Sequence, residues 1–280
     1  MTRSFFRIEM SERGEVFLGN DPARGPWDPD ACHAGPATAL LARSCERVVS
    51  AHDHLYRSDN ADPSDAPDRR LIRLTVDLAR PIPIGGFRVD AKVQRAGRTT
   101  ATSHAELIDL DGQVCATAWA LHLTAGPEQD FPTPPIETPR LADAVEGGFP
   151  VQLMGHGRPG FSTGVETRYP PAQDHLPGPT TIWMRAIPVL DSEPPSPFQK
   201  ICALADSGNA ISRNAEPAEV AFVNPDLTIT LHREPSGEWF GSDVVSHWQP
   251  NGIGMADALL FDEHGVVGRA IQTLLLRKAS

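Results

Sequence analysis

The sequence contains few cysteines, and their spacing argues against zinc sites and dithiol redox sites. The 280 residues contain four, with no CxxC pair among them: Cys32, Cys45, Cys115 and Cys202. Structural zinc sites and dithiol redox sites need ligands at short, regular spacing, so we expect neither and assign no metal. Four scattered thiols in a chain of this length are typical of reduced cysteines, which predicts a cytoplasmic protein.

Long apolar runs and clusters of basic residues are missing as well. Charged residues or prolines interrupt every apolar run well before the roughly 18 residues that suggest a membrane-spanning helix, so we expect no span. The first ten residues carry Arg3, Arg7 and Glu9 and no apolar stretch, which argues against a signal peptide. The net charge is −11 without a basic cluster, so nucleic acid is not an expected partner.

The sequence also lacks the glycine-rich loops that hold dinucleotides or phosphates, so we expect no organic cofactor. One short segment, Gly160-Phe-Ser-Thr-Gly164, does fit a catalytic pattern, the G-x-S-x-G of serine hydrolases. That pattern needs a strand before the serine and a helix after it. Because Pro159 precedes the match and strand-like residues follow it, we do not expect Ser162 to be a nucleophile.

What the sequence does contain is an internal repeat. Shifting the chain by 153 positions places residues 74–123 on residues 227–276 without a gap, and thirteen of the 50 pairs are identical. This period is far longer than the roughly 20–50 residues of solenoid repeats, so it indicates a duplicated domain. We predict an N-terminal domain at residues 1–125, a proline-rich linker at 126–150 and a C-terminal domain at 151–280.

Each copy predicts the same elements, namely an early strand, one helix and a run of alternating strands. The early strands are Glu15–Gly19 and Thr163–Tyr169, and the first helix covers Ala37–Ser50. The second helix begins with Ser196 as N-cap and Pro197 in the first position. One helix followed by four antiparallel strands indicates an α+β fold in which a sheet wraps around a helix.

Turn and loop signals separate these elements. Asp109–Gly112 and Asp262–Gly265 occupy equivalent positions in the two copies and are predicted hairpin turns. Ser58–Arg70, rich in Asp, Pro and Ser, and Gly126–Pro139, with five prolines, are predicted loops.

Two polar residues lie where apolar side chains would be expected. Asp206 follows Cys202 by four residues and Phe198 by eight, which places it on or beside the apolar stripe of the second helix. Gln272 lies within the apolar last strand. A buried carboxylate or amide needs hydrogen-bond partners, and a carboxylate held in this way can deprotonate or orient a water molecule. The alternative is that Asp206 is solvated or bonds locally to Ser207 and Asn209, and that Gln272 faces solvent.

The start of the first helix, His33-Ala-Gly-Pro36, is a candidate substrate-binding segment. A helix N-terminus offers backbone N–H groups and a favourable dipole to developing negative charge. Gly35 would let the backbone approach a ligand closely. His33 and Gly35 are therefore predicted substrate-binding residues, the alternative being that Gly35 serves only the turn and His33 caps or packs.

The order of the motifs resembles acyl-CoA thioesterase II over nearly the whole chain. The second half carries Ala-Asp-Ser-Gly-Asn at 205–209, Asn-Pro-Asp-Leu-Thr at 224–228 and Arg-Ala-Ile-Gln at 269–272. The first half carries His33-Ala-Gly-Pro36 and Arg80-Pro-Ile-Pro-Ile-Gly-Gly86. The resemblance implies a tandem, or double, hotdog fold in which each copy is a long helix wrapped by an antiparallel sheet. It also implies acyl-CoA as the substrate.

In that family an Asp, a Thr or similar polar residue, and a Gln hold the attacking water. The resemblance gives these roles to Asp206, Asn224 and Gln272, with Asn in place of the family's Thr. Thr228 is close in sequence and is the alternative for the second role.

The two copies differ at these positions. The residues 153 positions before Asn224 and Gln272 are Leu71 (224 − 153 = 71) and Trp119 (272 − 153 = 119). Only the C-terminal copy therefore carries polar side chains at these two positions, and we expect the site there.

Three functions are open. We favour single-step hydrolysis of acyl-CoA by a held water, without metal or cofactor, because no activated nucleophile is evident. A second is binding of acyl-CoA or another apolar ligand without turnover, which fold resemblance does not exclude. The third, hydration, needs a histidine near the second helix, and none lies between Ser196 and Arg213. We also expect a homo-oligomer, because hotdog proteins commonly associate.

Overall fold

The protein is α+β, with few helices and one large antiparallel sheet. The computed structural model describes residues 4–55, 68–127, 129–151, 157–174 and 176–278. Its helices are α1 (Ala34–Leu55), α2 (Pro197–Ala205) and α3 (Gly208–Ile211). Its strands are β1 (Phe6–Ser11), β2 (Gly14–Gly19), β3 (Arg69–Leu78), β4 (Phe87–Ala96), β5 (Thr100–Asp109), β6 (Val114–Thr124), β7 (Val145–Gly147), β8 (Val165–Tyr169), β9 (Thr180–Ala186), β10 (Val220–Val223), β11 (Asp226–Leu231), β12 (Phe240–Trp248), β13 (Ile253–Asp262) and β14 (Gly265–Lys278).

The strand order repeats as the sequence does. The sheet runs β1-β2-β4-β5-β6-β3-β11-β14-β13-β12-β9-β8-β7, and β10 pairs with the end of β14. The run β2-β4-β5-β6-β3 in the first half corresponds to β9-β12-β13-β14-β11 in the second. The two halves join where β3 pairs with β11, so that one sheet passes through both.

Residues related by the repeat meet where the halves join. Thr228 pairs with Thr75 across β11 and β3, and their Oγ1 atoms lie 3.2 Å apart. On the helices, Gln199 Nε2 donates to Glu46 Oε2 at 2.6 Å. Both pairs are separated by 153 residues (228 − 75 and 199 − 46), as expected if an approximate two-fold axis relates the copies.

The first helix contains its predicted range and extends it by three residues at the N-terminal end and by five at the C-terminal end. It spans 22 residues rather than the predicted fourteen, with Pro36 in its first turn. Small and aliphatic side chains cover its buried face, which packs on α2 and on β4 and β5. Such small side chains let two helices approach closely, and the site forms at this contact.

The second copy departs from the predicted long helix. Helix α2 has nine residues, starting after the Ser196 N-cap as predicted, and α3 follows after a break at Asp206 and Ser207. The side chain of Gln272 on β14 takes over the hydrogen bonds that a continuous helix would make: Nε2 donates to the Asp206 carbonyl at 2.7 Å, and Oε1 accepts from the Asn209 N–H at 3.1 Å. A strand side chain thus stabilises the break, because it satisfies backbone groups that would otherwise be orphaned.

The turns agree with the sequence. Asp109–Gly112 joins β5 to β6 and Asp262–Gly265 joins β13 to β14, with Gly112 and Gly265 at positive φ, as glycine allows. Within its described residues the predicted loop 126–139 has no helix or strand. The predicted loop 58–70 lies outside the described residues except for its end, where Arg69 begins β3. None of the helices in the described ranges is long and apolar enough to cross a membrane.

Candidate active site

A cavity of about 150 Å³ lies where the α2–α3 break meets the segment before α1. Its walls come from six parts of the chain, which are residues 24–34, residues 149–151, the 3₁₀ turn Phe161–Gly164 with Gly160, the region of the α2–α3 break, the end of β10 and β14. Four aromatic side chains form part of the lining, namely Trp27, Phe149, Phe161 and Phe222. Three predicted residues, Asp206, Asn224 and Gln272, meet at its polar end.

The Asp206 carboxylate is the centre of the polar end. It is 8% exposed and accepts two amide hydrogen bonds at one oxygen, from Asn224 Nδ2 at 2.9 Å and from Gln272 Nε2 at 3.2 Å, both to Oδ1. A buried carboxylate is costly unless donors compensate it, and these two amides are such donors. The side chain therefore faces the interior, whereas a solvent-facing Asp206 was the alternative from sequence.

Gln272 is the most constrained of the three residues. It is 2% exposed, and its amide contacts both the side chain and the backbone of the α2–α3 break. Gly208 makes this approach possible, because a Cβ atom there would lie 2.9 Å from Gln272 Oε1. Residues 206–209, Asp-Ser-Gly-Asn, thus pack around Gln272, which lies 64 residues after Gly208 (272 − 208 = 64).

Asn224 and Thr228 occupy quite different places. Asn224 lies between β10 and β11, lines the cavity and donates to Asp206. Thr228 lies inside β11 and contacts Thr75 at the junction of the halves. Of the two candidates for the second polar role, the structure brings only Asn224 to the carboxylate.

His33 and Gly35 lie on the opposite side of Asp206. His33 lines the cavity, its Nδ1 is 3.0 Å from Asp206 Oδ2, and its ring stacks on Phe161 with centroids 3.8 Å apart. Gly35 packs against α2, where a Cβ atom would lie 3.0 Å from Ala203 Cα and 3.1 Å from Asp206 Cβ. The glycine therefore permits close contact between α1 and α2, and the residue of this turn that lines the cavity is Ala34.

Sequence reasoning missed the pairing of His33 with Asp206, which lie 173 residues apart (206 − 33 = 173) and belong to different copies. It also missed Asn209, whose Oδ1 accepts from Ser246 Oγ at 2.9 Å and Trp248 Nε1 at 3.0 Å. These bonds fix the residue whose N–H holds Gln272. No pattern in the sequence marks either contact, because the first depends on how the two copies pack and the second on how α3 packs against β12.

The first copy has a carboxylate at the equivalent position but a different environment. Asp53 corresponds to Asp206 (206 − 153 = 53), and its Oδ2 accepts from Arg69 Nε. Leu71 and Trp119 replace the two amides, and Trp119 is 48% exposed. A carboxylate paired with a guanidinium and without amide partners is a structural ion pair.

The ionisable groups of the cavity argue against a covalent nucleophile. Cys32 is the cysteine in its lining, and burial raises the pKa of its thiol to about 12. A thiol in that state is a poor nucleophile, since the thiolate is the reactive form. Ser162 also lines the cavity, within a 3₁₀ turn that leads directly into β8 and not into a helix.

A larger groove of about 540 Å³ lies between α1 and residues 186–195. Its carboxylates do not form a comparable site: Asp191 is exposed, Glu193 pairs with Arg43, and Glu238 pairs with Lys200. The smaller cavity is therefore the candidate active site, because a buried carboxylate and convergent donors meet there.

Family models match both halves of the chain. The acyl-CoA thioesterase N-terminal domain matches residues 23–123, and the acyl-CoA thioesterase C-terminal domain matches residues 135–276, about half of the chain by itself. The chain belongs to the acyl-CoA thioesterase family. The thioesterase is accordingly a thioester hydrolase. A search of curated proteins found no match.

Solved structures similar to this thioesterase include hotdog and TesB proteins. A hotdog-fold protein from Alicyclobacillus acidocaldarius is 15% identical, with a TM-score of 0.69, over 96% of this chain and 95% of that one. The tesB protein of Mycobacterium avium subs paratuberculosis is 14% identical, with a TM-score of 0.63, over 94% and 92%. Acyl-CoA thioesterase II TesB2 of Mycobacterium marinum is 17% identical, with a TM-score of 0.58, over 98% and 95%. At these identities the likeness shows the fold.

Proposed function

We propose that the protein hydrolyses acyl-CoA to a free acid and CoA with a water molecule held by Asp206, Asn224 and Gln272. The observation that carries this proposal is the convergence of two amides on one buried carboxylate inside an aromatic cavity. Asp206 Oδ2 keeps a lone pair beyond its contact with His33, and the Asn224 amide oxygen accepts no hydrogen bond from any described residue. These two oxygens are the acceptors for the protons of the water.

The reaction is a direct displacement. The water oxygen attacks the thioester carbonyl carbon and gives one proton to Asp206 Oδ2, and the carbonyl oxygen becomes an oxyanion. Helix α1 begins at Ala34 in the cavity lining, and the positive end of its dipole stabilises that oxyanion. Collapse of the intermediate breaks the C–S bond, and the departing CoA thiolate takes that proton from Asp206, which restores the carboxylate. His33 contacts the substrate beside the start of α1, while the aromatic wall holds the acyl group.

The same proposal includes the division of the chain into domains. Two tandem hotdog domains occupy residues 1–125 and 151–280, with the linker at 126–150 between them, and the C-terminal domain carries the catalytic groups. The repeated strand order and the contacts between repeat-related residues support this division. We further propose a cytoplasmic homo-oligomer, to which the four free thiols are suited.

We expect purified protein to release free CoA from at least one member of an acyl-CoA series from acetyl to palmitoyl. With the best substrate, Asn224→Ala should lower kcat by at least about tenfold, because it removes one water acceptor and one donor to Asp206. Thr228→Ala is the matched control, since Thr228 was the other candidate from sequence and lies away from the cavity; its kcat should stay within about twofold.

The measurement is thiol release followed with a chromogenic disulfide. If the wild type released no CoA from any substrate yet bound acyl-CoA stoichiometrically, the protein would be a binding module and the proposal would be wrong. If Thr228→Ala lost activity and Asn224→Ala kept it, the assignment of the second polar role would be wrong.

A further inference from the structure

The candidate active site is small for an acyl-CoA hydrolase. Its volume is about 150 Å³, and its polar end takes the thioester, so the acyl group has only the remaining space. A dry apolar cavity of about 150 Å³ accepts a single benzene ring. A palmitoyl chain has more than twice as many carbon atoms as benzene and does not fit. The aromatic side chains in the wall offer edges and faces against which a short chain or a ring packs well.

The groove of about 540 Å³ begins directly behind one wall of this cavity. On α1, Ala34 lines the cavity and Pro36 lines the groove, and at α2 the same holds for Asp206 and Ala203. Apolar side chains make up much of the groove wall, among them Ala39, Ile187, Val189, Leu190 and Phe240. A long acyl chain would therefore find apolar space in the groove if it could pass from one to the other.

Two stacked rings stand between the two spaces. Phe161 lines the cavity, Phe5 lines the groove, and their ring centroids lie 5.9 Å apart with 14° between the ring planes. Beside them the helices touch, because a Cβ atom at Gly35 would lie 3.0 Å from Ala203 Cα. An acyl chain does not pass between backbones at that distance. We call the pair Phe161 and Phe5 the partition.

Both rings of the partition are buried and held by their own backbones. The Phe5 N–H donates to the Pro188 carbonyl and the Phe161 N–H donates to the Arg24 carbonyl, each at 2.9 Å. The Phe5 ring also packs on Gly164, where a Cβ atom would lie 2.8 Å from Phe5 Cε1. Rings in a close-packed interior have little space into which they can be displaced, so the partition is a fixed wall.

We propose that the protein acts on short-chain and aryl acyl-CoA, because the partition keeps longer acyl chains out of the groove. This inference rests on the proposed function and names its substrate class. The thioester lies at the polar end beside Asp206, and the acyl group extends along the aromatic wall towards Phe161. A longer chain meets the Phe161 ring before its carbonyl carbon reaches the water site.

The first test is the substrate profile of the wild type. We expect kcat/KM to be highest for one of acetyl-, butyryl-, hexanoyl- and benzoyl-CoA. Palmitoyl-CoA should be lower by at least about 100-fold, since one misplaced methylene group in a pocket already costs roughly tenfold or more. A palmitoyl-CoA value within about threefold of the best substrate would overturn the inference.

The second test removes the partition from either side, in Phe161→Ala and in Phe5→Ala. The readout is the ratio of kcat/KM for palmitoyl-CoA to that for hexanoyl-CoA, because Phe161 also stacks on His33 and its loss lowers activity on every substrate. We expect this ratio to rise at least about tenfold in both variants. Phe222→Ala is the matched control, since it removes the same side chain from the cavity wall next to Trp27 and away from the groove.

The ratio for Phe222→Ala should stay within about threefold of wild type. An equal rise in that control, or an unchanged ratio in folded variants of both partition residues, would overturn the role of the partition. Cooperative thermal unfolding shows which variants are folded, and the wild-type profile decides the substrate class by itself. If the wild type releases CoA from no substrate, the proposed function fails. The Kd values of S-alkyl thioethers of CoA then test the partition, and equal Kd values for the hexyl and hexadecyl thioethers would overturn it.

Discussion

Asp206→Asn should lower kcat for acyl-CoA hydrolysis by roughly 10²-fold or more while leaving the fold intact. Asparagine is isosteric with aspartate, and its oxygen can accept the same two bonds from Asn224 and Gln272. Its amide would face His33 Nδ1 and donate to it, which forces the ring proton to the other nitrogen. The variant thus loses the negative charge and the orientation of the imidazole, both of which matter most in the transition state.

The repeat supplies a matched control in Asp53→Asn. Asp53 holds the equivalent position in the first copy and pairs with Arg69 away from the cavity. We expect its kcat to stay within about twofold of wild type in the same CoA-release assay. Equal losses of kcat in both variants would show that the effect of Asp206→Asn is structural. Unchanged kcat in Asp206→Asn would show that Asp206 does not hold the attacking water.

Asp262→Asn should destabilise the protein by about 2 kcal/mol or more at pH 7. Burial by itself would raise the pKa of Asp262, but hydrogen bonds from Arg233 and from the N–H groups of Ser236 and His264 outweigh it and lower the pKa to about 2. A pKa lowered from 3.8 to about 2 corresponds to about 2 kcal/mol of stability, at about 1.4 kcal/mol per unit.

The lowered pKa of Asp262 also predicts how its contribution to stability changes with pH. Because the folded-state pKa is lowered, the contribution is present above about pH 4 and is lost as the pH falls towards 2. The difference between wild type and variant in urea unfolding should therefore shrink over that window. Asp109→Asn is the control, since Asp109 occupies the same hairpin position (262 − 153 = 109) and accepts from the Gln113 N–H. Equal destabilisation by the two substitutions would contradict the account.

The sequence predicted the parts of the fold that depend on local pattern and on duplication. Alternating strands, the Ser196 cap and the glycine turns each follow from a few adjacent residues, and the structure confirms them. Asp206 and Gln272 could be singled out because a polar residue at an apolar position costs free energy unless it has partners. The repeat added that only the second copy has the amides.

The remaining features depend on contacts between distant segments, which periodicity does not report. The prediction of a second long helix was wrong because Gln272 provides hydrogen bonds to the α2–α3 break. The pairing of His33 with Asp206 requires α1 to pack against α2 at Gly35, a contact between the two copies. The choice between Asn224 and Thr228 likewise depended on where β11 begins, a boundary that sequence reasoning locates only within a few residues.

The most direct test of the account follows the oxygen of the water. With protein in excess over acyl-CoA in ¹⁸O-labelled water, a single turnover should give acid with one ¹⁸O atom. Quenched protein should show neither acyl mass nor label, because water held at Asp206 attacks the thioester directly. An acyl adduct on the protein during that turnover, or ¹⁸O in the Asp206 carboxylate, would mean covalent catalysis and would contradict the account.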